Sequence, residues 1–364
     1  MHILVTADTV GGVWTYTQEL VTGLAARGAQ VTLVSFGRLP TAKQSRWLEK
    51  LAGVQYFPTE YRLEWMQDAE SDLRESARFL QIVIARRRPE VLHLNQFCYG
   101  ALRCGLPKLV VAHSDVLSWS EAVRGGFPED AWGRGYAETV AEGLAGASVV
   151  VAPTEWMLAQ VEHCYGKHRQ TRVVCNGRSP ERFDARREKE KFAASAGRLW
   201  DEGKQAALLT RMGPVPMPVY LAGASALDGP AADARGGEGV HLLGELGEGQ
   251  MRELLARAAI YVATSRYEPF GLAPLEAALS RCAIVANDIE SLREVWGEAA
   301  LYFRRNDEES LRAVLRLLQR DEGLRREYSE RAYGRALERY TAERMVEGYM
   351  RIYSALMEHE VAAA

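Results

Sequence analysis

Short apolar runs alternate with stretches of helical periodicity along almost the whole chain, and this alternation, interrupted once near Gly177, is what most limits its folds. A strand, a helix and a second strand in succession form a crossover unit. Repetition of that unit implies a mostly parallel sheet covered by helices on both faces. The apolar run at residues 3–7 turns at Val10-Gly11-Gly12 and leads into a helical pattern with Leu20, Val21 and Leu24 on one stripe. Thr15-x-x-Gln18 is the expected capping box of that helix and Gly28 its stop. Val31–Val34 completes the first unit, and the alternation continues through Val91–Leu94, Leu109–Ala112 and Ser148–Ala152.

The pattern pauses at Asn176-Gly177-Arg178-Ser179-Pro180 and passes through the charged stretch Arg186–Lys191, which reads as a domain boundary. It restarts with strand-like runs at Phe192–Ala196, Val219–Ala222, His241–Leu243, Ile260–Ala263 and Ile284–Ala286. A chain of 364 residues exceeds what one core usually supports. The expected organisation is therefore an α/β chain of two Rossmann-like, doubly wound domains, residues 1–178 and 179–342, facing a central cleft at the carboxyl ends of both sheets. Residues 343–364 form a closing amphipathic helix whose stripe of Met345, Tyr349, Ile352, Tyr353 and Leu356 needs a partner surface.

Hydrophobic residues at 47% and charged residues at 26% describe an ordinary globular protein. A formal net charge of −3 argues against a nucleic-acid partner, because such proteins carry a concentrated basic excess. The five cysteines form no C-x-x-C pair, so neither a disulfide framework nor a zinc site is expected. With no signal-peptide pattern and no run of about 18 apolar residues, the expected location is the cytoplasm.

Chemistry concentrates in Ser265-Arg266-Tyr267-Glu268-Pro269-Phe270-Gly271-Leu272-Ala273-Pro274-Leu275-Glu276. Pro274 suits the first position of a helix starting near Ala273, which places Glu276 in the first turn and free backbone amides beside it. Two carboxylates next to an anion site repel phosphate but accept hydrogen bonds from sugar hydroxyls, so the segment reads as a sugar–phosphate site. Upstream, Ala196-Gly197-Arg198-Leu199-Trp200-Asp201-Glu202-Gly203-Lys204 carries two cations at a strand end. A diphosphate leaving group needs its developing charge neutralised by a metal or by fixed cations. No Asp-x-Asp motif is present, so Arg198 and Lys204 are assigned that task, with no metal and no cofactor. Charge-assisted hydrogen bonds of about 1.5–3 kcal/mol each outweigh the roughly 0.3–1 kcal/mol of a helix end.

These two segments in this order resemble the large retaining glycosyltransferase family four, also called group 1, over nearly the whole chain. The Gly11-Gly12 loop, His113 at a strand end and Val174-Cys175-Asn176-Gly177 stand in the same order. The resemblance implies the glycosyltransferase B fold, with the closing helix returning to the N-terminal domain. It also implies hexosyl transfer, with retention, from a nucleotide diphosphate sugar to a carbohydrate or lipid-linked acceptor. Residues matching Glu268 and His113 lie at the donor sugar, and the one matching Glu276 binds the ribose. Arg198, Lys204, backbone groups of Phe270, Gly271 and Leu272, and Gly12 match the diphosphate site, while backbone near Leu243 and Leu246 matches the base site. Two segments depart from the family: Glu290-Ser291-Leu292-Arg293-Glu294 replaces a glycine pair, and Arg281-Cys282 stands where glycine is common.

Each signal has a plainer alternative. Arg198 and Lys204 can frame a turn capped by Asp201; His113, His93 and Asn95 can be satisfied structural residues at strand ends; Trp119 and Trp132 suit an acceptor groove or core packing equally. Arg86-Arg87-Arg88 suits weak peripheral contact with anionic lipid, though a solvated helix terminus explains it as well. The competing functions are a nucleotide-sugar epimerase on the same fold and a non-catalytic sugar-nucleotide binder. A dinucleotide oxidoreductase fits poorly, because neither first strand is followed by G-x-G-x-x-G.

Overall fold

The computed structural model describes residues 1–225 and 237–363; residue 364, the last of the expected closing helix, lies outside the described residues. The chain forms two compact units, Met1–Gly177 together with Ala342–Ala364, and Arg178–Thr341.

The first unit is built on β1 (His2–Asp8), β2 (Gln30–Phe36), β3 (Val54–Pro58), β4 (Val91–Leu94), β5 (Lys108–Val111), β6 (Val149–Ala152) and β7 (Thr171–Val173). Their order is β3-β2-β1-β4-β5-β6-β7, and every pairing is parallel. The central strands are buried on both faces, which is why they read as unbroken apolar runs. The edge strands β3 and β7 are only partly buried and carry no such run, so the apolar pattern does not announce them. Strand order reverses between β1 and β4, the position where open α/β sheets leave a crevice.

The first helix, Gly12–Ala26, starts directly behind Gly11, which caps it without any side-chain bond. The expected capping box at Thr15 and Gln18 is therefore corrected: both residues lie inside the helix, because the chain can turn at the glycine pair one turn earlier. Leu20, Val21 and Leu24 are buried as a stripe. The helix Ala342–Ala363 packs on this unit through Met345, Val346, Tyr349, Tyr353 and Leu356. Its approach is close: a Cβ at Gly23 would lie 2.5 Å from Val346 Cγ2.

His93, wholly buried on β4, fastens this helix to the sheet. Its Nδ1 lies 2.6 Å from the Tyr353 hydroxyl and its Nε2 3.1 Å from the Tyr16 hydroxyl. Burial, with the neighbouring His113 second, pushes the His93 pKa down from 6.5 to about 3. A depressed histidine favours the folded state fully above pH 6.5, where both states are neutral. Below that, the unfolded chain takes up the proton first and stability is lost as pH falls toward 3. The slope is about 1.4 kcal/mol per pH unit for such a group. We expect the denaturant midpoint to fall steeply between pH 6 and 4 in the wild type and less steeply in His93→Gln; equal slopes would remove His93 from the acid response.

The second unit contains β8 (Glu190–Ala196), β9 (Val219–Ala222), β10 (Val240–Gly244), β11 (Ala258–Ala263), β12 (Ala283–Asn287) and β13 (Leu301–Phe303). The order is β10-β9-β8-β11-β12-β13, again all parallel. Ile260, Val262 and Val285 pack against Leu311, Leu315 and Leu318 of the helix Glu308–Arg320. The charged stretch Arg186–Lys191 is not a free linker. Lys189 Nζ donates to the carbonyls of Leu255 at 3.0 Å, Ala256 at 2.7 Å and Ser280 at 2.5 Å, and Glu190 already begins β8. The ammonium thus satisfies carbonyls at the ends of two helices, Glu248–Arg257 and Leu272–Leu279.

Arg281 occupies its glycine-like position with φ +59°. For a non-glycine residue this conformation costs roughly 1–2 kcal/mol. Here the guanidinium sits 4.3 Å from the Tyr333 ring centroid and pairs with Glu330, which offsets that strain.

Candidate functional site

In the second unit the strand order reverses between β8 and β11, and the expected site residues follow these two strands. The loop after β8 is stitched to the loop after β11. Arg266 N–H donates to the Gly203 carbonyl at 2.8 Å, and Thr264 Oγ1 donates to the Lys204 carbonyl at 2.8 Å. Tyr261 adds a clasp from within β11: its hydroxyl accepts from Ala196 N–H at 3.2 Å and donates to Ala196 C=O at 3.1 Å. These bonds bring Lys204 and Glu268, distant in sequence, together. Lys204 Nζ lies 2.6 Å from Glu268 Oε2, which also accepts from Ser265 Oγ at 2.8 Å. Among the described residues Glu268 Oε1 has no protein partner. An ammonium has three donors, so Lys204 can hold Glu268 and still meet an anion.

A recess opens at this point, lined by Gly197, Leu199, Lys204, Ser265, Glu268 and Pro274 among others. Two residues behind its lining must be glycine. Gly223, at φ +143°, approaches so closely that a Cβ there would lie 1.7 Å from the Gly197 carbonyl oxygen. On the other side, Gly271 has φ +89°, and a Cβ would meet Pro274 at 2.9 Å and Glu268 at 3.2 Å.

The helix after this loop runs from Leu272 to Leu279 behind Gly271. Two expectations are corrected here. Pro274 is the third helical residue, not the first, and no acid lies in the first turn, so Glu276 stands one turn further in. The left-handed Gly271 lets the helix begin earlier than proline alone indicates. The amides of Leu272 and Ala273 remain at the free helix end. Phe270 is buried, its ring edge-on to Tyr340 at 5.2 Å.

Arg198 does not line the recess. Its Nη2 pairs with Asp201 Oδ2 at 2.8 Å, its guanidinium lies 5.3 Å from the Trp200 ring centroid, and its side chain is 42% exposed. Asp201 also accepts from Gly203 N–H at 2.8 Å, so the turn-framing alternative holds in part. Glu276 likewise lies outside the lining and pairs with Arg178, whose Nε is 3.0 Å from Glu276 Oε1. Leu243 lies in the edge strand β10, two strands from β8, and Leu246 follows the strand's end at Gly244, whose carbonyl accepts from the Gly223 amide at 2.8 Å. Arg178, Ser265 and Tyr261 carry no assignment from sequence reasoning. For Arg178 the only signal was a charged residue inside an otherwise turn-like segment.

Gly12 and His113 belong to the first unit. His113 follows β5, and its Nε2 lies 2.8 Å from Asn95 Oδ1, while the Asn95 amide donates to the Thr6 carbonyl at 2.5 Å. That network assigns the proton to Nε2 and leaves Nδ1 an acceptor. Burial pushes the His113 pKa down to about 3, so the ring is neutral at neutral pH. Trp132 donates to the Met66 carbonyl at 3.3 Å and stacks on Tyr136; Trp119 lies under Arg124.

Residues 10–182 match the model of Glycosyltransferase Family 4, and residues 180–335 that of Glycosyl transferases group 1. The chain belongs to the group 1, family 4 glycosyltransferases. Its fold is that of glycosyltransferase B proteins. It superimposes over 100% of both chains on sucrose-phosphate synthase of Thermosynechococcus elongatus, at 17% identity and TM-score 0.80. It covers 98% of itself and 100% of the Anabaena protein HepE solved with UDP-glucose, at 16% identity and TM-score 0.72. Among curated proteins it is 34% identical over 103 residues to the lipopolysaccharide core mannosyltransferase LpcC of Rhizobium leguminosarum, and 30% identical over 112 residues to alpha-maltose-1-phosphate synthase of Mycolicibacterium smegmatis. The matched stretches span 29% of the length of each of these relatives. Among the described residues no helix of this group 1 protein is long and apolar enough to cross a membrane.

Proposed function

We propose that this glycosyltransferase moves a hexosyl group, with retention and without a metal, from a nucleotide diphosphate sugar to a carbohydrate or lipid-linked acceptor. The observation that carries the reading is the Lys204–Glu268 pair at the strand-order reversal of the second unit, beside a free helix end. Lys204, Arg198 and the amides after Gly271 would hold the diphosphate and stabilise its charge as it leaves. Glu268, fixed through Oε2, would present Oε1 to a donor-sugar hydroxyl. Glu276 would take the ribose, and backbone near Leu243 and Leu246 the base. In the first unit Gly12 would add a phosphate contact, and neutral His113 would accept a sugar hydroxyl at Nδ1. With no enzymic nucleophile required, the departing diphosphate takes the acceptor proton on the face it leaves.

The names of relatives support this reading. One is a mannosyltransferase, one an alpha-maltose-1-phosphate synthase, and one a structure solved in complex with UDP-glucose. The test is incubation with a panel of uridine-, guanosine- and adenosine-diphosphate sugars, with and without EDTA, reading nucleotide release and product anomeric configuration. We expect release from at least one donor at an unchanged rate in EDTA. Loss of activity in EDTA would overturn metal independence, and an isomerised donor without a new glycosidic bond would favour the epimerase.

A further inference from the structure

We infer that Arg178 is the positioning residue for the Glu276 carboxylate, and so sets how strongly the site distinguishes ribose from deoxyribose; the inference rests on the reading that Glu276 receives the ribose. Arg178 is the first residue of the second unit, and its side chain is only 2% exposed. A guanidinium buried to that degree persists only where charge compensates it. Its Nε stands 3.0 Å from Glu276 Oε1, an attraction of opposite charges without an aligned Nε–H hydrogen bond. Glu248 Oε1 is a weaker second partner at 3.8 Å, and its side chain is largely solvated.

Other contacts fix the arginine independently of Glu276. The guanidinium lies 5.4 Å from the Phe183 ring centroid. Its backbone N–H donates to the Tyr340 carbonyl at 3.1 Å, and the residue forms a parallel bridge with Thr341. Tyr340 in turn packs on Phe270. The segment at Arg178 and the segment at Tyr340 are thus bonded to each other, and each supports one end of the Glu268–Glu276 stretch: Arg178 meets Glu276, and Tyr340 meets Phe270. Glu276, at 15% side-chain exposure, keeps an edge toward solvent while its Oε1 side is held. Such a carboxylate is aimed before any ligand arrives, which is what recognition of a diol requires.

The test measures, by calorimetry, binding of UDP, GDP and ADP and of their 2′- and 3′-deoxy counterparts, using whichever diphosphate the wild type binds. Wild type is expected to lose about tenfold or more in affinity when the ribose hydroxyl that faces Glu276 is absent. Glu276→Gln should shrink that ratio toward one. Arg178→Met should shrink it similarly, while inhibition by inorganic pyrophosphate, which has no ribose, stays as in wild type. Arg178→Met that is folded by thermal melt and keeps the wild-type ratio would overturn the assignment. Should Arg178→Met not fold, Arg178→Gln replaces it with the same two outcomes. A wild type without ribose discrimination, discrimination that survives Glu276→Gln, or no binding of any diphosphate would instead overturn the underlying reading, and the assignment with it.

Discussion

Glu268→Gln is expected to lower turnover by about 10²–10³-fold, the effect of removing one group aimed at developing charge, while nucleoside diphosphate affinity stays level or rises. The two halves of this expectation have one source. Glu268 Oε2 is engaged by Lys204 and Ser265, so in the resting site its charge is partly spent on orienting the lysine. Neutralising it frees the ammonium for phosphate, which favours binding of the leaving group. The reacting sugar, however, loses the anionic neighbour that stabilises its oxocarbenium-like state and the acceptor that grips its hydroxyl. Glutamine preserves size, and Lys204 is partly solvated, so the melting temperature should shift by no more than a few degrees. Steady-state kinetics with titration of the nucleoside diphosphate check both halves. Unchanged turnover would reduce Glu268 to a support for Lys204.

The legible part of this protein was the part governed by burial. Strands such as Val149–Ala152 and Ala258–Ala263 are buried along their whole length, and their sequences are apolar throughout. Three of the edge strands, Val54–Pro58, Thr171–Val173 and Leu301–Phe303, are only partly buried and leave no such trace, whereas the edge strand Val240–Gly244 still shows its short run at His241–Leu243. Helix starts failed for a related reason. At Gly11 and Gly271 the backbone itself makes the turn, and glycine has no side chain to advertise a cap.

The candidate site was legible as a list of residues but not as a set of partners. Sequence order put two cations upstream of two acids and implied that the cations wait for phosphate. The structure pairs them instead: Lys204 with Glu268, Arg198 with Asp201, and Glu276 with the unforeseen Arg178. Partner choice depends on which loops are stitched together: Arg266 N–H to the Gly203 carbonyl is a backbone bond that writes nothing into side-chain identity, and the Thr264 hydroxyl, though visible in sequence, does not name the Lys204 carbonyl as its acceptor.

That pairing makes the removal of Lys204 more damaging than loss of a single phosphate contact. Lys204→Met keeps most of the stem that packs near Gly197, where lysine carbons lie 3.4 Å from an added Cβ, but deletes the ammonium. One charge-assisted hydrogen bond of about 1.5–3 kcal/mol disappears, which alone weakens nucleoside diphosphate binding by roughly 10–150-fold. Glu268, mostly buried, is left with Ser265 and now repels the same diphosphate, so ground-state and leaving-group effects act in one direction. We expect kcat/KM to fall by about 10²–10³-fold at least. The double variant Lys204→Met/Glu268→Gln separates the terms: removing the repelling carboxylate should restore part of the binding while turnover stays low, a coupling that contacting residues show and distant ones do not. Purely additive losses in binding would mean that the 2.6 Å pair does not persist in the working site.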